Sequence, residues 1–203
     1  MGNIYVNIAF EDALSEIVIQ RILVHAGEKA NRKFVILRRY RGRGFGGLKA
    51  KIEKFNAASV ITPYVVLTDL DQNKCPVALV KEWLKCDLHA NMIFRIAVRE
   101  VEAWLLADED KLRAYLSVNK VYRVENPDSI EDPKNFIFQM VRKSKSKVIK
   151  DAILPKPGGH VGPDYNGVLG KFVLDEWDVE RATERSESLR RMVKALVAFG
   201  MRT

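Results

Sequence analysis

Two aspartates one residue apart, Asp69 and Asp71, close the run Pro63-Tyr-Val-Val-Leu-Thr-Asp-Leu-Asp71. Side chains two positions apart on extended chain point the same way, so both carboxylates can address one point. Two anions held that close repel each other unless a cation sits between them. Hard oxygen ligands of this kind suit Mg²⁺ or Mn²⁺. Glu11 ends an earlier apolar run, and Glu100 and Glu102 follow a later one. Phosphodiester hydrolysis needs an activated water and a stabilised leaving oxygen. Two metal ions roughly 4 Å apart supply both and draw on a set of carboxylates such as this one. The plainer reading is that Glu100 and Glu102 cap or salt-bridge a helix start, where the dipole favours acids.

A second chemistry-bearing stretch is Gly42-Arg-Gly-Phe-Gly-Gly47, which satisfies G-x-G-x-x-G, with Asp69 at roughly the ~20-residue offset of a dinucleotide site. The motif follows the second apolar run rather than the first, and Arg38, Arg39, Arg41 and Arg43 crowd it. Arginines fork onto phosphate oxygens, and glycines let backbone N–H groups approach closely. Arg39, Arg41 and Arg43 are therefore assigned to a nucleic-acid backbone, together with the basic run Lys143, Lys145 and Lys147. A mobile loop with solvated charge is the bland alternative. Lys134 is the cation set against charge developing on phosphorus. His160 stands alone in a glycine-rich loop, and Trp83, Trp104 and Trp177 read as packing residues.

The elements that must position these groups follow from apolar spacing. Ile4–Phe10 reads as a strand and Asp12 as the cap of a helix carrying Leu14, Ile17, Val18, Ile22 and Leu23, stopped at Gly27. Phe34–Tyr40 is a second strand, and Leu48–Asn56 resumes a helical pattern. The third strand lies around Val60–Leu70, a helix follows over residues 77–86, and Met92–Val98 is the fourth strand. Helical spacing restarts at Glu100–Leu106. Alternating strands and helices predict a parallel sheet covered by helices. Right-handed crossovers place the ends of strands one, three and four on a common edge. That edge would carry Glu11, Asp69, Asp71, Glu100 and Glu102. Beyond Asp108 the pattern weakens: a loop over Tyr122–Pro133, part of a helix at Phe136–Val141, irregular chain over residues 156–166, and a last helix over Glu187–Phe199. The expected organisation is an α/β core over residues 1–107 and a helical, loop-rich extension over 108–203 packing on it.

The chain has 203 residues, 47% of them hydrophobic, enough for the core of one domain of this kind. A net charge of +8 favours polyanionic partners, nucleic acid first. Two cysteines, Cys75 and Cys86, do not make a disulfide framework, and with His89 they form only a loose zinc spacing. No apolar run reaches the ~20 residues of a membrane span, Val6 stands where a myristoylation signal needs Ser or Thr, and no signal peptide is evident. A cytoplasmic protein is expected.

Glu11 followed by a helix, then Thr68-Asp69-Leu70-Asp71, resembles the TOPRIM fold of topoisomerases, primases and overcoming-lysogenization-defect nucleases. Closer still, Glu11-Asp-Ala-Leu-Ser-Glu16, Val98-Arg-Glu-Val-Glu-Ala-Trp-Leu-Leu-Ala-Asp108 and Gly162-Pro-Asp-Tyr-Asn166 look like the TOPRIM-related DUF4276 group. The resemblance implies a TOPRIM/Rossmann-like sheet with Mg²⁺ or Mn²⁺ held by Glu11, Asp69 and Asp71, and Glu100 and Glu102 as further ligands. It also implies defence or mobile-element settings and work beside an ATPase partner. Topoisomerases carry a third aspartate where this chain has Asn73, and no nucleophilic tyrosine lies nearby, so hydrolysis of DNA or RNA is the activity expected. The rivals are a nucleotide-binding phosphotransferase using the glycine loop, and a non-catalytic basic module that binds nucleic acid or a partner.

Overall fold

The structure is a computed structural model that describes residues 2–42 and 45–202, with only the backbone of Phe45 included. In its first half β1 (Gly2–Phe10), α1 (Ala13–Ala30), β2 (Arg32–Arg41), α2 (Phe45–Lys49), α3 (Ile52–Ala58), β3 (Tyr64–Asp69), α4 (Pro76–Trp83), β4 (Met92–Ala97) and α5 (Val101–Leu106) alternate as expected. The four strands form one parallel sheet in the order β2-β1-β3-β4. β1 and β3 are central and nearly continuous in apolar residues, because both of their faces are covered. Val6, Ile8, Val65, Leu67 and Ile93 face one core; Ala9, Tyr64, Val66, Phe94 and Ile96 face the other. This alternation is the period of two that extended chain imposes.

The smaller core lies under α3 and α4, where Tyr40, Phe55 and Tyr64 pack ring against ring. The larger one lies under α1 and is closed by the second half of the chain. There α6 (Glu109–Tyr115), a 3₁₀ turn (Pro127–Ser129), α7 (Pro133–Arg142), α8 (Lys147–Ile153), α9 (Tyr165–Asp175), α10 (Val179–Arg185) and α11 (Glu187–Arg202) follow in order. Leu14, Val18, Ile19, Ile22 and Ala26 of α1 are fully buried, and α9 and α11 pack directly on that helix. Leu169, Phe172, Leu189, Leu196 and Phe199 complete the same core. Trp104 and Trp177 are buried in it, as packing residues should be.

Several boundaries differ from the expectation, each for a physical reason. Gly27 does not stop α1, which runs on to Ala30. Asn31 takes the left-handed conformation at φ 51° and its N–H closes the last turn on Glu28 and Gly27. Gly27 instead admits the returning chain, since a Cβ there would lie 2.7 Å from the Arg32 carbonyl oxygen. The third strand begins at Tyr64 rather than near Val60, because residues 59–62 turn at the surface and Ile61 is 90% exposed. The single helix expected over Leu48–Asn56 is broken into α2 and α3 at residues 50–51. Residues 147–153 and 165–185 hold three short helices where the sequence pattern gave irregular chain or nothing, their apolar faces being short and interrupted.

Candidate functional site

The carboxyl ends of β1 and β3 open into a cleft of about 560 Å³ lined by Glu11, Asp12, Arg41, Gly42, Asp69, Asp71 and Lys134. Its position is the one where ligands settle in open parallel sheets. Glu11 follows the last residue of β1 and is drawn onto β3: its Oε1 accepts hydrogen bonds from the Thr68 hydroxyl and, at 3.2 Å, from the Asp69 N–H. Asp12 caps α1 through the Ser15 N–H at 2.8 Å, so the helix start fixes the chain just past Glu11.

Asp69 and Asp71 meet the cleft by a different route from the extended chain expected. β3 ends at Asp69, and Asp71 adopts the left-handed region at φ 48°. Aspartate is among the few residues that tolerate this conformation. The Arg99 carbonyl receives the N–H groups of Leu70 and Asp71 at 2.9 and 3.0 Å. The Arg99 guanidinium holds the carbonyls of Asp71 and Asn73 at 3.0 and 2.8 Å. A turn clamped by Arg99 thus aims Asp71.

Behind this rim lies a second, charge-compensated group. Glu100 occupies the N-cap position of α5 without capping it; Asp69 Oδ1 accepts from the Val101 N–H there, at 3.1 Å. The Glu100 side chain turns to Lys134, receiving its N–H at 3.1 Å and its ammonium at 3.1 Å. The same ammonium lies 3.7 Å from Glu102, whose carboxylate is 2% exposed. Tyr165 donates its hydroxyl to Glu102 Oε1 at 2.8 Å, while Oε2 is buried with no hydrogen-bond partner among the described residues. Tyr165 is set by the turn before α9, where a Cβ on Gly162 would fall 2.2 Å from the Ala152 carbonyl oxygen. A smaller cleft adjoins this group, lined by Asp71, Arg99, Glu100, Asp132, Lys134 and His160.

Crowded acids make the ionised forms costly. Burial and the neighbouring Glu102 and Glu11 carboxylates push Asp69 well above the ordinary range. Burial raises Glu11 as well, against the hydrogen bonds from Thr68 and Asp69, and burial together with Glu100 raises Asp71. Glu102 is pushed up to about 7 by burial, with Lys134 opposing. Burial would lower Lys134, but the Glu102 and Glu100 charges outweigh it and hold the ammonium above its usual range. Burial and the contact with Glu102 raise the Tyr165 phenol too.

Among the described residues no three acids stand as a preassembled ion cage. Carboxylate oxygens are the type of donor that a hard divalent cation takes. Glu11, Asp69 and Asp71 line one cleft, and burial first, with neighbouring carboxylates adding to it, raises all three. Glu100 reaches the adjoining cleft, whereas Glu102 is shielded behind Lys134 and Tyr165.

Of the basic residues, Arg41 lines the carboxylate cleft. Arg39 is exposed and pairs with Glu16 at 3.0 Å. Arg43 and Gly44 lie outside the described residues, so the glycine loop is seen only at its flanks. There the Gly42 N–H donates to the Phe10 carbonyl at 2.7 Å. Lys143, Lys145 and Lys147 are exposed around the α7–α8 junction. Sequence reasoning did not single out Thr68, Arg99 or Tyr165. Thr68 stands next to the acid pair and Tyr165 lies in the Gly162–Asn166 motif, so both carried a signal.

Residues 10–197 match the family model described as a domain of unknown function, DUF4276. The chain belongs to this family. No curated protein and no solved structure matches it. The DUF4276 match takes in Glu11 near its start and α11 near its end, so it covers the carboxylate cleft and the helices that close the larger core. Within the DUF4276 stretch Val98–Asp108, the last acid is structural: buried Asp108 accepts from the Asp178 N–H at 2.9 Å and from Arg181 Nε at 2.8 Å. No described helix is long and apolar enough to cross a membrane.

Proposed function

We propose that this protein hydrolyses phosphodiester bonds of nucleic acid with Mg²⁺ or Mn²⁺. The observation that carries this reading is the convergence of Glu11, Asp69 and Asp71 from two strand ends on one cleft that also holds Arg41 and Lys134. Glu11, Asp69 and Asp71 would hold the cation, with Glu100 beside them and Glu102 as an auxiliary. A bound divalent ion supplies a more acidic water and neutralises charge on the leaving oxygen.

The chain's own residues do the remaining work. Thr68 and the Asp69 N–H fix which Glu11 oxygen turns toward β3. Arg99 fixes the turn that carries Asp71. Lys134, kept protonated between Glu100 and Glu102, places a positive charge at the cleft wall, where it attracts a phosphate and opposes charge building on it. Arg41 forks toward a second phosphate, and exposed Arg39 and the basic run at Lys143, Lys145 and Lys147 extend the attraction along a polyanion. The resemblance of Glu11 and the Thr68–Asp71 run to the TOPRIM sequence pattern points the same way. An ATPase partner and a cytoplasmic setting are proposed with it.

The test is direct. Purified protein is incubated with plasmid, single-stranded DNA and RNA in Mn²⁺, in Mg²⁺ and in EDTA, beside Asp69→Asn. Metal-dependent cleavage lost in Asp69→Asn is expected. Nucleic-acid binding that is indifferent to EDTA and yields no product would instead point to a basic binding module.

A further inference from the structure

β4 forms one edge of the sheet. Along that edge, between α4 and α11, runs a cleft of about 740 Å³ walled by Val77, Val80, Phe94, Ile96 and Ala195. This is the size of small-molecule sites, roughly 300–1,000 Å³, which combine apolar walls with a few polar groups. The cleft's polar lining is Asp128, Glu187, Ser188, Arg191 and Lys194 on the α11 side and Arg95 on β4 itself. Arg95 is half-buried, its Nη1 donates to the Phe94 carbonyl at 2.9 Å, and its Nε is buried with no hydrogen-bond partner among the described residues. The charge bearing on it is Arg191, of the same sign.

The acids of the cleft are already engaged. Asp128 accepts from the Ser186 hydroxyl at 2.6 Å and the Ser188 N–H at 2.7 Å. Glu187 is paired with Arg190 and, at 2.8 Å, with Arg191. A guanidinium partly withdrawn from water, with no carboxylate paired to it among the described residues, is costly. Apolar walls around an unmatched cation complement an anion with an apolar body. We infer that the β4–α4–α11 cleft binds a small amphipathic organic acid, its head on Arg95 and its body against Val77, Val80 and Phe94. A peptide strand adding to β4 is disfavoured, because Arg95 occupies the Phe94 carbonyl and Ser188 Oγ takes the Val98 N–H at 3.4 Å.

Anilinonaphthalene sulfonate and its uncharged analogue phenylnaphthylamine serve as probes, with decanoate as competitor. The sulfonate should bind saturably and be displaced by decanoate. Arg95→Met should weaken it about tenfold or more while leaving phenylnaphthylamine unchanged, as loss of one charge-assisted contact predicts. Equal sulfonate binding in the variant overturns the proposal, and so does failure of decanoate to compete where an extended acidic peptide succeeds. Should Arg95→Met not fold, Val77→Asp decides. Val77 is 62% exposed at the rim, so the fold is kept and a new acid there repels the sulfonate. Undiminished sulfonate binding in that variant likewise overturns the site.

Discussion

The Tyr165 hydroxyl donates to Glu102 Oε1 across 2.8 Å, joining the first turn of α9 to the first turn of α5. Both side chains are almost wholly buried, at 3% and 2% exposure. Tyr165→Phe keeps the ring and removes the donor, leaving one more unsatisfied oxygen on a buried carboxylate. A loss of about 1–3 kcal/mol in unfolding free energy is expected, read by urea denaturation. Mn²⁺ affinity should also fall, by about 10–100-fold, as when an outer partner of a ligand is removed.

Asp69→Asn keeps the shape of the side chain and its acceptor for the Val101 N–H. It also relieves the crowding with Glu102 and Glu11. The metal-free variant should therefore be as stable as the parent or more so. Cleavage should fall by about a hundredfold or more, and the rise in melting temperature that Mn²⁺ gives the parent should vanish. Nuclease assay and calorimetry on one preparation check both halves.

Lys134→Met separates binding from turnover. The ammonium neutralises Glu100 and Glu102 in the absence of metal, so its loss frees Glu100 for a cation. Mn²⁺ should bind at least as tightly to the variant by isothermal titration, while the cleavage rate drops about a hundredfold for want of the cation at the cleft wall. Parallel losses in both would contradict the role given to Lys134.

The raised carboxylates fix the sign of the pH dependence. Burial pushes Glu102 up to about 7 in the folded protein, from 4.5 for a free glutamate, and Glu11, Asp69 and Asp71 shift the same way. The folded state then binds more protons than the unfolded one, so these groups cost stability as pH rises. The metal-free melting temperature should decline between about pH 4.5 and 7, with Glu102→Gln flattening the slope. Mn²⁺ should stabilise most at the upper end of that window.

The parallel sheet and the meeting of Glu11, Asp69 and Asp71 were legible from the sequence because both rest on short-range signals. Apolar runs ended by Glu11 and by Asp69, with helical spacing between them, dictate parallel crossovers. The way Asp71 reaches the cleft was not legible, since it depends on Arg99 gripping carbonyls 26 and 28 residues away. Glu102 reads as one acid among five until its neighbours are known; only Tyr165 and Lys134, supplied by distant helices, show that it stands behind the rim. α9 and α10 escaped notice because their apolar stripes are short and are completed by α1 rather than by their own periodicity.

The cover over α1 has a bearing on how the protein is made. That helix begins at the cap next to Glu11, yet the apolar flank it turns from water is sealed by residues 165–175 and 187–202. On the ribosome the flank stays bare until residues 165–202 have emerged. A product terminated before residue 165 is therefore expected to leave Leu14, Val18, Ile19 and Ile22 uncovered and to aggregate.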